Sequence, residues 1–182
     1  MESALAWIGQ IAAWIGQWIP RWQIFDVTTA GVKYVKGQPK ECKAGRIHWY
    51  WPVTTTLDSY PVARQADDLR SQTIVTADDR TIVVGGMVVY EVTDIMLLLP
   101  HVFRASQAIK DLVLTCIHDV CCKMTWEELK AGQRKGTLDT KLKNAAREAL
   151  TEYGVRVIKV QLTDLAQARV YKIMQTNSKD EE

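Results

Sequence analysis

Charge is missing from the start of this chain: no ionised side chain lies between Glu2 and Arg21. Over all 182 residues the net charge is only +2, too slight to argue for a nucleic-acid partner. Cysteine is scarce. Cys42, Cys116, Cys121 and Cys122 show no disulfide-framework spacing, and the adjacent pair reads as reduced thiols in a cytosolic domain. A cleaved signal peptide needs a positive stretch before its apolar run, and here only Glu2 precedes it. The phosphate-cradling loop is also missing, since Gly85-Gly86 is not followed by Lys-Ser/Thr. His48, His101 and His118 are far apart in sequence, and no serine or cysteine sits in a nucleophile motif. No enzyme and no cofactor are expected. His48-Trp49-Tyr50-Trp51 offers rings for base stacking but has no basic stripe around it; a packed strand at a membrane-facing end suits it better.

What is present is concentrated at the N-terminus. Ala6-Trp7-Ile8-Gly9-Gln10-Ile11-Ala12 is followed by Ala13-Trp14-Ile15-Gly16-Gln17-Trp18-Ile19, one seven-residue phrase written twice and closed by Pro20. Trp7, Trp14, Trp18 and Trp22 are four of the seven tryptophans. Wound as a helix at ~100° per residue, Leu5, Trp7, Ile8, Ile11, Trp14, Ile15, Trp18, Ile19 and Trp22 fall on one broad half. The other half is small and uncharged, with Gly9, Ala13 and Gly16 spaced for close helix–helix packing in lipid. This predicts a membrane-associating helix over residues 1–22, bulky side to lipid and small side to neighbouring copies. Seventeen residues rise ~25 Å against a hydrocarbon core of ~30 Å, so spanning the bilayer and lying in one leaflet both stay open. An amphipathic helix buried on its own domain is the other reading. Between Ser3 and Leu57, six basic residues (Arg21, Lys33, Lys36, Lys40, Lys43, Arg46) face two acidic ones (Asp26, Glu41). Basic residues after an apolar segment stay on the cytoplasmic side and suit anionic headgroups, at about 1 kcal/mol each.

The rest reads as strands, then helices, then a strand: an α+β domain over residues 23–165, followed by a short helix stub and polar tail over 166–182. Gln23–Val27 and Gly31–Lys36 are expected as strands about a Thr28–Ala30 turn, with Gly37–Ala44 a polar loop. Gly45–Trp51 alternates Ile47, Trp49 and Trp51 against Arg46, His48 and Tyr50, predicting a half-buried strand stopped by Pro52. Thr54–Tyr60 is the next strand. Gln72–Thr76 and Thr81–Val92 form a hairpin. Its second strand is apolar on both phases, hence central, with a bulge or close approach at Gly85-Gly86. Ala105–Met124 is helical, with Ala105, Ile109, Leu112, Cys116, Val120 and Met124 on one stripe. Thr125-Trp126-Glu127-Glu128 is a capping box opening a helix that ends near Gly132. Thr137–Tyr153 is a helix stopped by Gly154. Val155–Leu162 is a strand, after which Thr163 or Asp164 caps a last helix.

In this order the chain resembles the stomatin–prohibitin–flotillin (SPFH, band 7) family, over roughly Phe25–Met174. The motifs are Gly45-Arg46-Ile47-His48-Trp49-Tyr50-Trp51-Pro52; the Thr76–Val84 hairpin with its acidic turn, followed by Val88-Val89-Tyr90-Glu91-Val92; Thr125–Lys130 with Gln133-Arg134; and Leu150-Thr151-Glu152-Tyr153-Gly154 leading through Val155–Leu162 to Asp164-Leu165. The resemblance implies a membrane-bound homo-oligomeric scaffold, in rings or cages, that organises a membrane microdomain or fences a membrane protease or channel. Two departures stand out. The family usually continues into a long Ala/Glu-rich coiled coil, whereas this chain stops one or two turns past Asp164. The family's arginine before the capping box is replaced around Ile117–Asp119. A ring or small shell is therefore the expected assembly.

Other candidate groups are ordinary by geometry. Cys116, His118, Cys121 and Cys122 do not converge on one metal, since His118 points ~200° away from Cys116 around a helix. Asp78-Asp79 reads as turn chemistry rather than a carboxylate pair. Cys42, in a basic loop, is a possible acylation site, which the resemblance to stomatin-like proteins favours. The alternative to the scaffold is a monomeric adaptor that lays its Trp-rich helix into a partner protein's groove.

Overall fold

The computed structural model describes Trp14, Gly16 and residues 19–168. The strands are β1 (Arg21–Ile24), β2 (Thr29–Val35), β3 (Gln38–Cys42), β4 (Ile47–Tyr50), β5 (Thr55–Pro61), β6 (Gln65–Val75), β7 (Thr81–Val92) and β8 (Val155–Gln167). Between β7 and β8 lie the helices α1 (Ile95–Leu98), α2 (Ala105–Cys122), α3 (Trp126–Lys135) and α4 (Thr137–Thr151). Among the described residues the strands make three antiparallel sheets: a β1-β4 ribbon, a β3-β2-β5 sheet and a β6-β7-β8 sheet. The α+β order expected from the sequence is what forms.

The main core lies between β6-β7-β8 and the helices. Ile82, Val84, Val88 and Tyr90 of β7 meet Ile109, Val113 and Ile117 of α2 and Leu138, Leu142 and Leu150 of α4. A smaller core joins Ala30 and Val32 of β2 to Ile95 of α1. Tyr60 and Val62 touch both. As its two-phase apolarity predicts, β7 is the central strand of its sheet.

Several local details differ from the expectation. β1 pairs with β4, Trp22 opposite Trp49 and Ile24 opposite Ile47, instead of forming a hairpin with β2. The chain turns at Asp26, whose carbonyl accepts from Thr29 N at 3.1 Å, and Phe25 bonds back to Arg46 and Gly45. The polar run after Gly37 is a strand. Lys36 (φ 51°) and Gly37 (φ 82°) make a two-residue hairpin turn with both φ positive, and Pro39 is tolerated because β3 is an edge. The buried line of α2 is rotated from the predicted stripe. Ala105, Ile109, Val113, Leu114, Ile117 and Cys121 are buried, while Leu112, Cys116 and Val120 are half-buried, because α2 is wedged between a sheet and α4. The capping box forms, with Glu128 N to Thr125 Oγ1 at 3.4 Å and Thr125 N to Glu128 Oε2 at 2.9 Å. Its helix runs past Gly132 to Lys135 and stops at Gly136 (φ 70°).

Residues 169–182 lie outside the described residues, but the expected helix does not open at Thr163 or Asp164: β8 continues to Gln167, which pairs with Ile82. The glycine pair is what accommodates it. β7 and β8 shift register at Gly85/Gly86, and β6 shifts between Leu69 and Gln72. A Cβ on Gly85 would sit 2.7 Å from the Asp164 carboxylate and 2.9 Å from Ser71 Oγ. Asp164 therefore packs over a bare backbone in an extended strand instead of opening a helix.

Candidate membrane-facing surface

The N-terminal prediction is only partly visible. Leu5, Trp7, Ile8, Gly9, Ile11, Ala13, Ile15 and Trp18 lie outside the described residues. Trp14 and Gly16 are helical, and Trp14 and Ile19 are 61% and 57% exposed. Trp22, placed on the same helix by periodicity, belongs to β1 instead. The helix therefore ends before Arg21, where β1 starts. No described helix is long and apolar enough to cross a membrane.

The β1-β4 ribbon is the feature that the sequence pattern assigned to the wrong side. Directly opposed residues of an antiparallel pair share a face, so Trp22, Ile24, Ile47 and Trp49 line one side together. All four are about equally exposed, at 62%, 60%, 61% and 59%. The two indoles meet edge to face, with centroids 5.2 Å apart. The opposite side carries Gln23 and His48. His48 leans on the buried Phe25 ring at 5.6 Å, and its Nε2 lies 3.2 Å from the Lys43 carbonyl oxygen. The ribbon thus leaves its apolar side out, inverting the expected half-buried strand, while on the other side His48 is half-buried and Gln23 stays exposed. Trp51 and Val53, just beyond β4, are exposed as well. Arg21 and Arg46, adjacent in sequence to Trp22 and Ile47, are solvent-exposed, as are Lys36, Lys40 and Lys43. Contiguous apolar surface of this kind marks an interaction site, and tryptophan with nearby basic groups matches the chemistry of a membrane–water interface.

The ribbon is held by a close contact that composition does not reveal. A Cβ on Gly31 of β2 would lie 2.6 Å from the Phe25 ring and 2.7 Å from the Asp58 carbonyl oxygen. Phe25, the residue after β1, seats the ribbon in that gap.

The remaining candidates settle as follows. Cys42 is on β3 opposite Gly31 and fully buried, and burial pushes its thiol up from the ordinary range. The exposed basic loop that made it an acylation candidate is a strand with its thiol turned inward, so an acyl chain there would need the strand to open. Cys121 is in the core, and Cys116 donates to the Ala145 carbonyl at 3.7 Å. A polar network absent from the sequence reading links the two larger sheets. Tyr90 donates to Asp67 Oδ2 at 3.1 Å and shares a 3.2 Å hydrogen bond with Tyr60, and Lys110 of α2 lies 3.4 Å from Asp67.

Asp78 performs the turn chemistry expected of it and also ties the hairpin to α3. Its carboxylate accepts from Thr76 Oγ1 at 2.6 Å and from the Trp126 backbone N–H at 3.1 Å, and Arg80 Nε lies 2.9 Å away. The Thr76 hydrogen bond first, then the Trp126 amide and Arg80, hold this carboxyl below the usual carboxylate range. A depressed folded-state pKa contributes stability that is present above the unfolded value and lost as pH falls through the folded one. Asp78→Asn is therefore expected to lower the thermal midpoint near neutral pH. The gap to the natural chain should close on acidification below the ordinary aspartate range. A gap that is constant with pH would remove the carboxylate from this account.

Comparison with known proteins accords with this architecture. The chain matches the family model described as SPFH domain / Band 7 family over residues 23–181. It is similar to a putative band 7 family protein of Acanthamoeba polyphaga mimivirus, 24% identical over 119 residues. That match covers 65% of this chain and 39% of the relative, so the chain spans less than half of the relative's length. With the family model covering nearly all of the described domain, the chain belongs to the SPFH domain / Band 7 family.

Proposed function

We propose that this protein is a membrane-associated scaffold in which many identical copies sit side by side on one membrane. The observation that carries this reading is the outward apolar face of the ribbon, Trp22, Ile24, Ile47 and Trp49. It directly continues the Trp-rich residues 1–22. Indoles and aliphatic side chains from both segments enter the headgroup–acyl boundary, while the exposed lysines and arginines face anionic headgroups. One copy gains only modest, reversible membrane affinity this way, and an oligomer multiplies it through effective concentration. The domain faces the cytoplasm, the side that basic residues favour. Its role there is to organise a lipid patch or to fence a resident membrane protease or channel, by contact and not by catalysis.

The test is the size of the full chain extracted in mild detergent, together with its flotation on anionic vesicles. Particles of many copies that float with vesicles are expected. A single copy per particle would favour the monomeric adaptor, whose tryptophans fill a protein groove. Failure to float would remove the membrane from the account.

A further inference from the structure

Three of the four thiols are withdrawn from chemistry by their surroundings. Cys42 and Cys121 are fully buried, and Cys116 is half-buried with its thiol on the Ala145 carbonyl oxygen. Burial pushes Cys116 up and Cys121 up to about 11. Cys122 is different. It is the last residue of α2, half-exposed, and one helical turn after His118. Residues four apart share a helix face, and Cys122 Sγ lies 3.5 Å from His118 Nε2 and 3.6 Å from Nδ1. Asp119 Oδ1 is 3.6 Å from His118 Nδ1, and the His118 and Asp119 side chains are 50% and 64% exposed. A nucleophile, a base within reach of it and a carboxylate within reach of the base therefore stand together on a solvent-facing surface. None of the three takes part in the membrane-facing ribbon.

We propose that Cys122 is a thiol–disulfide exchange site, with His118 as its base and a low-molecular-weight disulfide as its substrate. The Cys122 thiol proton passes to a His118 ring nitrogen, and the sulfur attacks one sulfur of the incoming disulfide. That S–S bond breaks as the new one forms. The departing thiolate takes the proton from the imidazolium, leaving a mixed disulfide on Cys122 and one free small thiol. One disulfide and one thiol are consumed, and one of each is formed, so no further oxidant enters. Asp119 Oδ1 stands 3.6 Å from the ring that takes the proton. The neighbouring Cys121 is sealed in the core, so the adduct persists until an external thiol removes it.

The experiment treats the full reduced chain, in mild detergent near neutral pH, with oxidised glutathione and maps adducts by peptide mass. Cys122 is expected to be modified first. Cys122→Ser should abolish that fast adduct, and His118→Gln should slow it roughly tenfold or more, with a smaller slowing in Asp119→Asn. In denaturant the natural chain and His118→Gln should react at equal rates, because the pairing depends on the folded helix. First modification at Cys116 or Cys42 would overturn the proposal. So would an unchanged folded-state rate in His118→Gln, or a rate difference that survives unfolding.

Discussion

Replacing Trp22 and Trp49 together by threonine is expected to lower association with anionic vesicles roughly a hundredfold while the domain stays folded. Each indole is about 60% exposed, so neither contributes much to the isolated domain. What the domain loses is the edge-to-face pair at 5.2 Å, about 1 kcal/mol, and threonine keeps the β preference of the strands. The membrane loses more. Moving the exposed part of an indole into the headgroup–acyl boundary is worth about 1.5 kcal/mol, so two give about 3 kcal/mol, and every 1.4 kcal/mol is tenfold. Phe103→Ser is the matched control: it removes a side chain 86% exposed on the turn before α2, beside Asp58 and Ser59 of β5, and should leave flotation unchanged. If both variants weaken binding alike, general surface hydrophobicity is at work. If the double variant binds like the natural chain, the ribbon does not face lipid.

Gly154→Ala is expected to be the most destabilising small change in the domain, at about 3 kcal/mol or more, or roughly 10 °C in the thermal midpoint. Gly154 has φ 69°, and a Cβ there would lie 2.5 Å from the Asp94 carbonyl oxygen and 2.9 Å from its Cβ. The obstacle is backbone that cannot swing aside. Retreat would break the bonds that its own carbonyl accepts from Thr93 N at 2.8 Å, Thr93 Oγ1 at 2.9 Å and Asp94 N at 3.1 Å. These bonds join the end of β7 to the start of β8. Gly136 has nearly the same φ, 70°, with nothing within 4 Å of its Cβ position. Gly136→Ala should therefore cost only the conformational part, about 1–2 kcal/mol. Equal midpoint shifts for the two variants would show that the close approach to Asp94 has no energetic weight.

The capping box at Thr125, the glycine stop at Gly154 and the central strand through Ile82–Val92 were readable because each depends on residues within a few positions of one another. A threonine and a glutamate three apart satisfy each other's amides wherever the helix sits. A positive-φ stop needs glycine locally. The misreadings are of another kind. Alternation in Ile47-His48-Trp49-Tyr50 says that two faces differ, but not which one meets the protein. That choice fell to Phe25, lodged against Gly31 and beside the His48 ring, which holds His48 toward the domain and leaves the tryptophans out. Asp164 carries a helix-opening signature. It lies in a strand because the Gly85-Gly86 backbone of another strand, far away in sequence, leaves room for it.

From sequence alone came the α+β order, the family resemblance, the Trp-rich start and the absence of a catalytic motif, all of which rest on composition and short-range spacing. Tertiary structure alone decided which side of the ribbon faces out, that Cys42 is sealed and that Cys122 is paired with His118. Those outcomes turn on where segments distant along the chain come to rest against each other, and pattern within a segment carries no information about its neighbour.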